Sequence, residues 1–374
     1  GSRAKDLGIS NLHLADTNFG MYTSDINTCA ELSTSQTNFG WPTQIQATTG
    51  KNSKKRILEI TKVMGPSLAI NMSVQSMDAE VLRNIERSNI SLDDYKEIHQ
   101  TLIQQGRPSN GELIIGLPGE SRESFIKGLR QVIDAGVTRV ANYTLMLLYG
   151  TQFKDPKYRE KYSIDGKYRL VPLNFGDYMG EKVFDIEEVG IATNTMSFED
   201  YLWLRGLCLF TEVLYNNKPF YPLFRYMNQK GLQQYDFILH LYEKRNSAPA
   251  SIKRLVESFE KETRSELWET EEQLVEFYSN GKNYKKLIAG EVGGNLIYKY
   301  KAISLAHHSS GWVEFMRVQA LNWLKDADGK AHSQGETEEE VTAVSTYSAL
   351  RLEGVLEARA STSTLKADFE YDIL

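Results

Sequence analysis

From residue 12 to about residue 150 the chain alternates short apolar runs with amphipathic stretches, and this limits the fold more than any other feature. Leu12, Leu14 and Ala15 form one run, ending at Asp16, and Gln44 to Ala47 form a second, ending in Thr48-Thr49-Gly50. Ser53 can cap a helix carrying Ile57, Leu58, Ile60 and Val63. Leu68 to Val74 reads as a third strand, after which Ser76 can cap a helix with Asp78 and Glu80 in its first turn. Ser91 can cap the next helix, with Tyr95, Ile98 and Leu102 at helical spacing and Gly106 as its stop. Leu113 to Gly116, a helix capped by Ser121, and Val137 to Leu145 complete the series. Each crossover helix returns the chain to the same end of the sheet, so the pattern predicts a parallel α/β sheet.

Beyond residue 150 the alternation ceases. Tyr168–Val171 and Val183–Ile186 read as a small β extension within residues 151–197, and from Phe198 onward the chain is mainly helical. Leu202, Leu204, Leu207, Leu209 and Phe210 make one apolar stripe, and Trp312, Phe315, Val318, Leu321 and Leu324 make another. Both read as helix-packing core. The expected division is therefore residues 1–150, 151–197 and 198–374. Glu336 to Glu340 reads as an acidic surface run, and Phe369, Tyr371 and Ile373 alternate as a strand does.

A net charge of −6 argues against a nucleic-acid partner, which needs a clustered basic surface. No apolar run is long enough to span a bilayer, so no membrane partner is expected. With two cysteines, Cys29 and Cys208, far apart, a disulfide framework is not expected and a cytoplasmic location is. Nor can these two supply a four-cysteine zinc or iron–sulfur site. Gly1-Ser2 without an initiator methionine reads as an expression scar, and both ends are expected to be cut.

Parallel α/β sheets bind ligands at the carboxyl ends of their strands. Here those ends carry Asp16-Thr17-Asn18, Thr48-Thr49-Gly50-Lys51, Gln75-Ser76 and Gly116-Leu117-Pro118-Gly119-Glu120, a polar rim. Two familiar motifs fail. Thr49-Gly50-Lys51 lacks the glycine a phosphate-binding loop needs, because Ile45 stands there, and Gly116 to Glu120 does not spell a dinucleotide fingerprint. His307-His308 is an isolated pair that reads as a polar surface step.

Three segments together resemble the radical S-adenosylmethionine (SAM) superfamily: Leu14 to Tyr22, Ser73 to Asp78 with Ile85-Glu86-Arg87 following, and Glu112 to Ser121. The nearest subgroup often carries an amino-terminal cobalamin-binding domain. The resemblance implies a partial (β/α) TIM-type barrel and a mostly helical carboxy-terminal region. In such proteins a Cys-x3-Cys-x2-Cys triad after the first strand holds a [4Fe-4S] cluster, which with SAM starts radical chemistry. The strand ending at Asp16 matches the second of six, so the triad is expected before Gly1, after a cobalamin domain of the same natural chain. This chain alone is then expected to be inactive.

By the same resemblance Asp16, Thr17 and Asn18 receive the methionyl amine, while Ser73, Gln75 and Arg87 handle ribose and carboxylate. Gly116, Gly119 and Glu120 form the turn that approaches adenine, and Tyr143 supplies an apolar wall. Arg87 reads equally well as a surface ion pair with Glu86 or Glu80. The implied substrate is an unidentified small molecule, and the implied cofactors are SAM, the cluster and cobalamin. Two other readings remain: a barrel lyase or hydrolase using Asp16 and Glu120 as acid and base, and a non-catalytic barrel that binds a partner.

Overall fold

Five strands line up in chain order in a single parallel sheet: β1 (Asn11–His13), β2 (Gln44–Thr48), β3 (Leu68–Gln75), β4 (Ser109–Ile115) and β5 (Arg139–Thr144). Unbroken sequential order is the order of a barrel segment, whereas a doubly wound sheet reverses at a switch point. The fold is α/β with a partial TIM-type barrel. The computed structural model describes residues 1–49, 54–327 and 334–357. Gly50, Lys51, Ser53, Phe369, Tyr371 and Ile373 lie outside the described residues. The chain divides into two compact units, Gly1–Tyr143 and Thr144–Leu374.

In the first unit, α1 (Ser2–Asp6) precedes β1, α2 (Thr23–Phe39) joins β1 to β2, and α3 (Lys54–Met64) joins β2 to β3. Two helices, α4 (Ala79–Asn84) and α5 (Leu92–Gln104), join β3 to β4, and α6 (Arg122–Asp134) joins β4 to β5. The alternation of a strand sends successive side chains to opposite faces. Ile45, Ala47, Leu68, Ile70, Met72, Leu113 and Ile115 are buried, as are Ile57 and Ile60 of α3, Ile98 and Leu102 of α5, and Phe125 and Leu129 of α6. Gly111 shows how tightly β4 meets its helices. A Cβ there would lie 2.8 Å from the Tyr95 hydroxyl, 3.1 Å from Val132 and 3.2 Å from Val137.

The amino-terminal end of the sheet is tied by buried polar groups. Arg107 donates to the carbonyls of Thr61 and Leu68, both at 2.7 Å, joining the last turn of α3 to the start of β3. His99 of α5 meets the Ser109 hydroxyl at 2.9 Å and packs edge-on against Tyr95. Burial pushes its imidazole down to about 4.

Several boundaries differ from the sequence expectation. The first strand is Asn11–His13 rather than Leu12–Ala15, β4 begins at Ser109, and β5 begins at Arg139. The helix α2 carries no apolar periodicity and buries only Asp25 and Cys29. It is held instead by Asp25, whose carboxylate accepts from the backbone of Gly20 at 2.9 Å and Tyr22 at 3.0 Å. Asp78, not Ser76, caps α4, accepting from Glu80 and Val81.

In the second unit, α7 (Pro156–Tyr162) leads into an antiparallel hairpin, β6 (Asp165–Tyr178) and β7 (Glu181–Ala192). Positive φ at Met179 (60°) and Gly180 (92°) makes its tight turn. The helices follow as α8 (Phe198–Leu214), α9 (Tyr221–Gln229), α10 (Gln234–Glu243), α11 (Ala250–Ser265) and α12 (Glu271–Ser279). The series ends with α13 (Gly281–Ile288), α14 (Leu296–His307), α15 (Ser309–Ala327) and α16 (Gln334–Glu357). The centre is α8, apolar on nearly every side, with Phe210 against Tyr242 and Trp312. Leu170 of β6 joins Leu274, Tyr278, Tyr284 and Leu287 in a smaller cluster. Glu340 of the acidic run is engaged, accepting from the Tyr226 hydroxyl at 2.7 Å with Lys230 at 3.1 Å. No helix among the described residues is long and apolar enough to cross a membrane.

The contacts at Gly111 make a direct prediction. Gly111→Ala is expected to destabilise the first unit by about 1–3 kcal/mol through overpacking, read by denaturant unfolding. Unchanged stability would mean that β4 does not press on α5 and α6.

Candidate functional site

Opposite the apolar face, β2, β3 and β4 carry polar side chains in register. Thr48 pairs with Asn71, Asn71 with Asn110, and Ser73 with Glu112. Asn110 donates to the Asn71 side-chain oxygen at 2.6 Å, and the Ser73 hydroxyl donates to the Glu112 carboxylate. On the neighbouring β5, the buried side-chain oxygen of Asn142 lacks a hydrogen-bond partner among the described residues. A buried, unpaired acceptor is costly unless something supplies a donor.

The carboxyl end of β3 turns sharply. A bulge falls between Ser73 and Gln75, Gln75 has φ 61°, and the Ser76 backbone donates to the Val74 carbonyl at 2.7 Å. A non-glycine residue in this region is strained and held by its surroundings. Arg87 and Asn89 do the holding. Arg87 donates to the Ser73 carbonyl and, at 3.0 Å, to Asn89, which itself donates to the carbonyls of Val74 at 2.8 Å and Ser76 at 3.0 Å. Burial lowers the affinity of Arg87 for its proton, while Glu112 opposes that shift. Neither Glu86 nor Glu80 is its partner among these contacts. Glu86 has φ 53°, which turns the chain and carries Arg87 back over β3.

The Gly116–Glu120 turn closes on the same region. Gly116 and Gly119 have φ 89° and 88°, and a Cβ on Gly119 would lie 2.5 Å from the Asn84 amide, which donates to the Pro118 carbonyl at 3.1 Å. Glu120 points into the fold. It is 1% exposed, accepts from Ser76 at 2.7 Å, and accepts also from Ser124. Burial pushes its carboxyl up to about 7, against the lowering effect of both serines. Its contacts make it the clamp between β3 and the turn.

The sequence-predicted residues thus fall into three groups. Ser73, Gln75 and Arg87 meet at the end of β3, with Glu112 beside them. Gly116, Gly119 and Glu120 form the adjoining turn. Asp16, Thr17 and Asn18 sit past β1, closed by a 2.8 Å bond from the Asn18 backbone to Asp16, with Asp16 and Thr17 exposed. With strand spacing of ~4.8 Å, β1 lies roughly 10 Å from β3 across the sheet. Tyr143 stands on β5 and is half exposed. The reading of the sequence passed over Asn71, Asn110, Asn142 and Asn89, and gave Glu112 no role. The signal for the strand residues was the polar position recurring every second residue.

No family model matches the chain. Over 168 residues, 44% of this chain, it is 30% identical to the cobalamin-dependent radical SAM methyltransferase TokK of Streptomyces tokunonensis, covering 24% of that protein. Over 229 residues, 59% of this chain, it is 28% identical to 2-(S-pantetheinyl)-carbapenam-3-carboxylate methyltransferase of Streptantibioticus cattleyicolor, covering 33% of it. Over these stretches the chain is similar to a cobalamin-dependent radical SAM methyltransferase and to a carbapenam methyltransferase. It spans 24% and 33% of the length of these two relatives. Among solved structures, the radical SAM methyltransferase TsrM from Kitasatospora setae, with tryptophan substrate and a SAM analogue bound, gives a TM-score of 0.33 at 14% identity, over 38% of this chain and 28% of that one. Coproporphyrinogen III oxidase (HemN) from Escherichia coli, a radical SAM enzyme, gives 0.25 at 16% identity, over 37% and 44%.

The cluster of such proteins does not fit the described residues. Cys29 and Cys208 are buried, free and in separate units. Burial pushes their thiols up to about 11 and about 12, the opposite of what a metal-binding thiolate needs. No group of three or more His, Cys, Asp or Glu among the described residues is disposed to hold a metal ion.

Two buried groups titrate in opposition. Glu120, raised from 4.5 to about 7, favours folding when protonated, so its contribution is full below pH ~4.5 and lost as pH rises towards 7. His99, lowered from 6.5 to about 4, favours folding when neutral, so its contribution is full above pH ~6.5 and lost as pH falls towards 4. Each is worth on the order of 3 kcal/mol, and the two offset each other between about pH 4.5 and 6.5. Glu120→Gln is expected to steepen the loss of stability on acidification, and His99→Asn to make stability fall as pH rises. Thermal unfolding across pH 5–7.5 reads both; a wild-type slope in each variant contradicts the assignments.

Proposed function

We propose that the first unit binds S-adenosylmethionine along the polar face of β2–β4 and forms the core of a radical SAM methyltransferase. The carrying observation is the Ser73–Glu112 pair, backed by Arg87 and flanked by Asn71 and Asn110. Glu112 is a charged acceptor for ligand hydroxyl or amine donors. Gln75 and the half-buried Gly119 are assigned to the side of a base, with Tyr143 on β5 as an apolar wall. Asp16, Thr17 and Asn18 take the far end of the ligand.

The sequence relationship to two methyltransferases supports methyl transfer to a small-molecule acceptor, and the cobalamin dependence of one of them supports a cobalamin-dependent reaction. The cobalamin domain and the three cysteines for the [4Fe-4S] cluster are assigned to other parts of the natural protein. Residues 1–374 alone then bind SAM without turning it over. Two free, buried cysteines suit a reducing, cytoplasmic setting.

Calorimetric titration with SAM tests this reading. Glu112→Gln is expected to weaken binding by about 10–100-fold, in line with ~1.5–3 kcal/mol for a hydrogen bond to a charged group. Thr37→Ala, on an exposed face of α2, is expected to bind as wild type. Equal binding by Glu112→Gln and wild type would remove the polar face from consideration.

A further inference from the structure

The carboxyl end of β3 carries a turn that its residue type does not favour. Ser76 donates its backbone N–H to the Val74 carbonyl, at 2.7 Å, and Gln75 between them has φ 61°. A three-residue turn with positive φ at its centre is a γ-turn of the rare, strained kind. Glycine would adopt this conformation at little cost. Gln75 adopts it with a side chain in place, next to the Ser73–Glu112 pair on which the proposed ligand face rests. Strain of this sort persists only where the surroundings impose it, and it concentrates at ligand-binding positions.

A side chain from outside the sheet imposes it. Asn89, in the connection between α4 and α5, donates its amide to the carbonyls of Val74 at 2.8 Å and Ser76 at 3.0 Å, the residues on either side of Gln75. The network sets the orientation of this amide. Its oxygen accepts from Arg87 at 3.0 Å, and the reverse orientation would set that oxygen against two carbonyl oxygens. Arg87 in turn donates to the Ser73 carbonyl. The amide nitrogen and the oxygen of Asn89 are thus engaged within the protein, so its effect on a ligand passes through the backbone it holds.

We infer that Asn89 is a positioning residue for SAM: by clamping the residues on either side of Gln75, it fixes the strained turn that presents Gln75 to the ligand. The inference rests on the assignment of SAM to the polar face of β2–β4. It adds to that face a residue that lies off the sheet and governs affinity through the shape of the β3 end.

Calorimetric titration of the full chain with SAM, paired with thermal unfolding, tests the inference. Asn89→Ala is expected to weaken SAM binding about tenfold, for two lost hydrogen bonds. Asn89→Asp, which still accepts from Arg87 but turns an oxygen towards the two carbonyls, is expected to do the same. Gln75→Gly is expected to bind about fivefold more weakly, with a thermal midpoint at or above that of the wild type, because the turn loses its strain along with its side chain. In that background Asn89→Ala is expected to cost less than about twofold, since no Gln75 side chain is left to position. A purely structural Asn89 would cost the same in both backgrounds. The inference is overturned if a folded Asn89 variant or Gln75→Gly binds SAM like the wild type, or if the loss at Asn89 is as large without the Gln75 side chain as with it. Should both Asn89 variants misfold, Gln75→Gly decides, weaker binding in an intact fold supporting the inference and wild-type affinity overturning it. A wild-type chain that binds no SAM overturns the underlying assignment and the inference with it, whereas wild-type binding with unaffected variants overturns the inference alone.

Discussion

The packing of β3 and β4 against α3, α5 and α6 is the constraint on which the candidate site depends. Leu68, Ile70, Met72, Leu113 and Ile115 are removed from water on one face. At ~25 cal/mol per Å² of apolar surface, a one-residue slip would expose that set and bury Asn71, Asn110 and Glu112 in its place. The register that hides the apolar residues therefore also lines up Asn71 with Asn110 and Ser73 with Glu112. Gly111 sharpens the constraint, since β4 fits between Tyr95, Val132 and Val137 only without a side chain at that position.

The carboxyl end of the sheet needs separate support, because a bulged, positive-φ strand end does not hold itself. Arg87 and Asn89 bind the carbonyls that the bulge exposes. Glu120 reaches from the next turn to Ser76, joining two loops 44 residues apart in sequence. A carboxylate this deeply buried is penalised in its charged form, and the serine hydroxyls are what keep it tolerable.

Much of the first unit was legible in the sequence because its strands and helices differ in hydrophobic period. Ile57–Ile60, Ile98–Leu102 and Phe125–Leu129 follow helical spacing, and β3 reads as a strand at its true position, while only the last three residues of β4 stand out as an apolar run. The helix α2 was not legible, since its Ser- and Thr-rich turns bury almost nothing and carry no period. Ser76 and Asp78 are both good caps, and only the distant Glu120 decides that Ser76 is used elsewhere. Arg87 was visible in the motif, but its partner could not be read locally. The left-handed turn at Glu86 sends it to the Ser73 carbonyl rather than to a neighbour on α4. Asn71 and Asn110 were visible as alternating polar positions, yet their meeting depends on pairing between strands 39 residues apart.

Hydrogen exchange by mass spectrometry, with and without saturating S-adenosylmethionine, tests the central assignment most directly. Binding on the polar face is expected to slow exchange in Leu68–Gln75, Ser109–Gly119 and Asp16–Gly20, leaving α3 and α5 unchanged. Protection confined to the helical unit, or absent from β3 and β4, would contradict it.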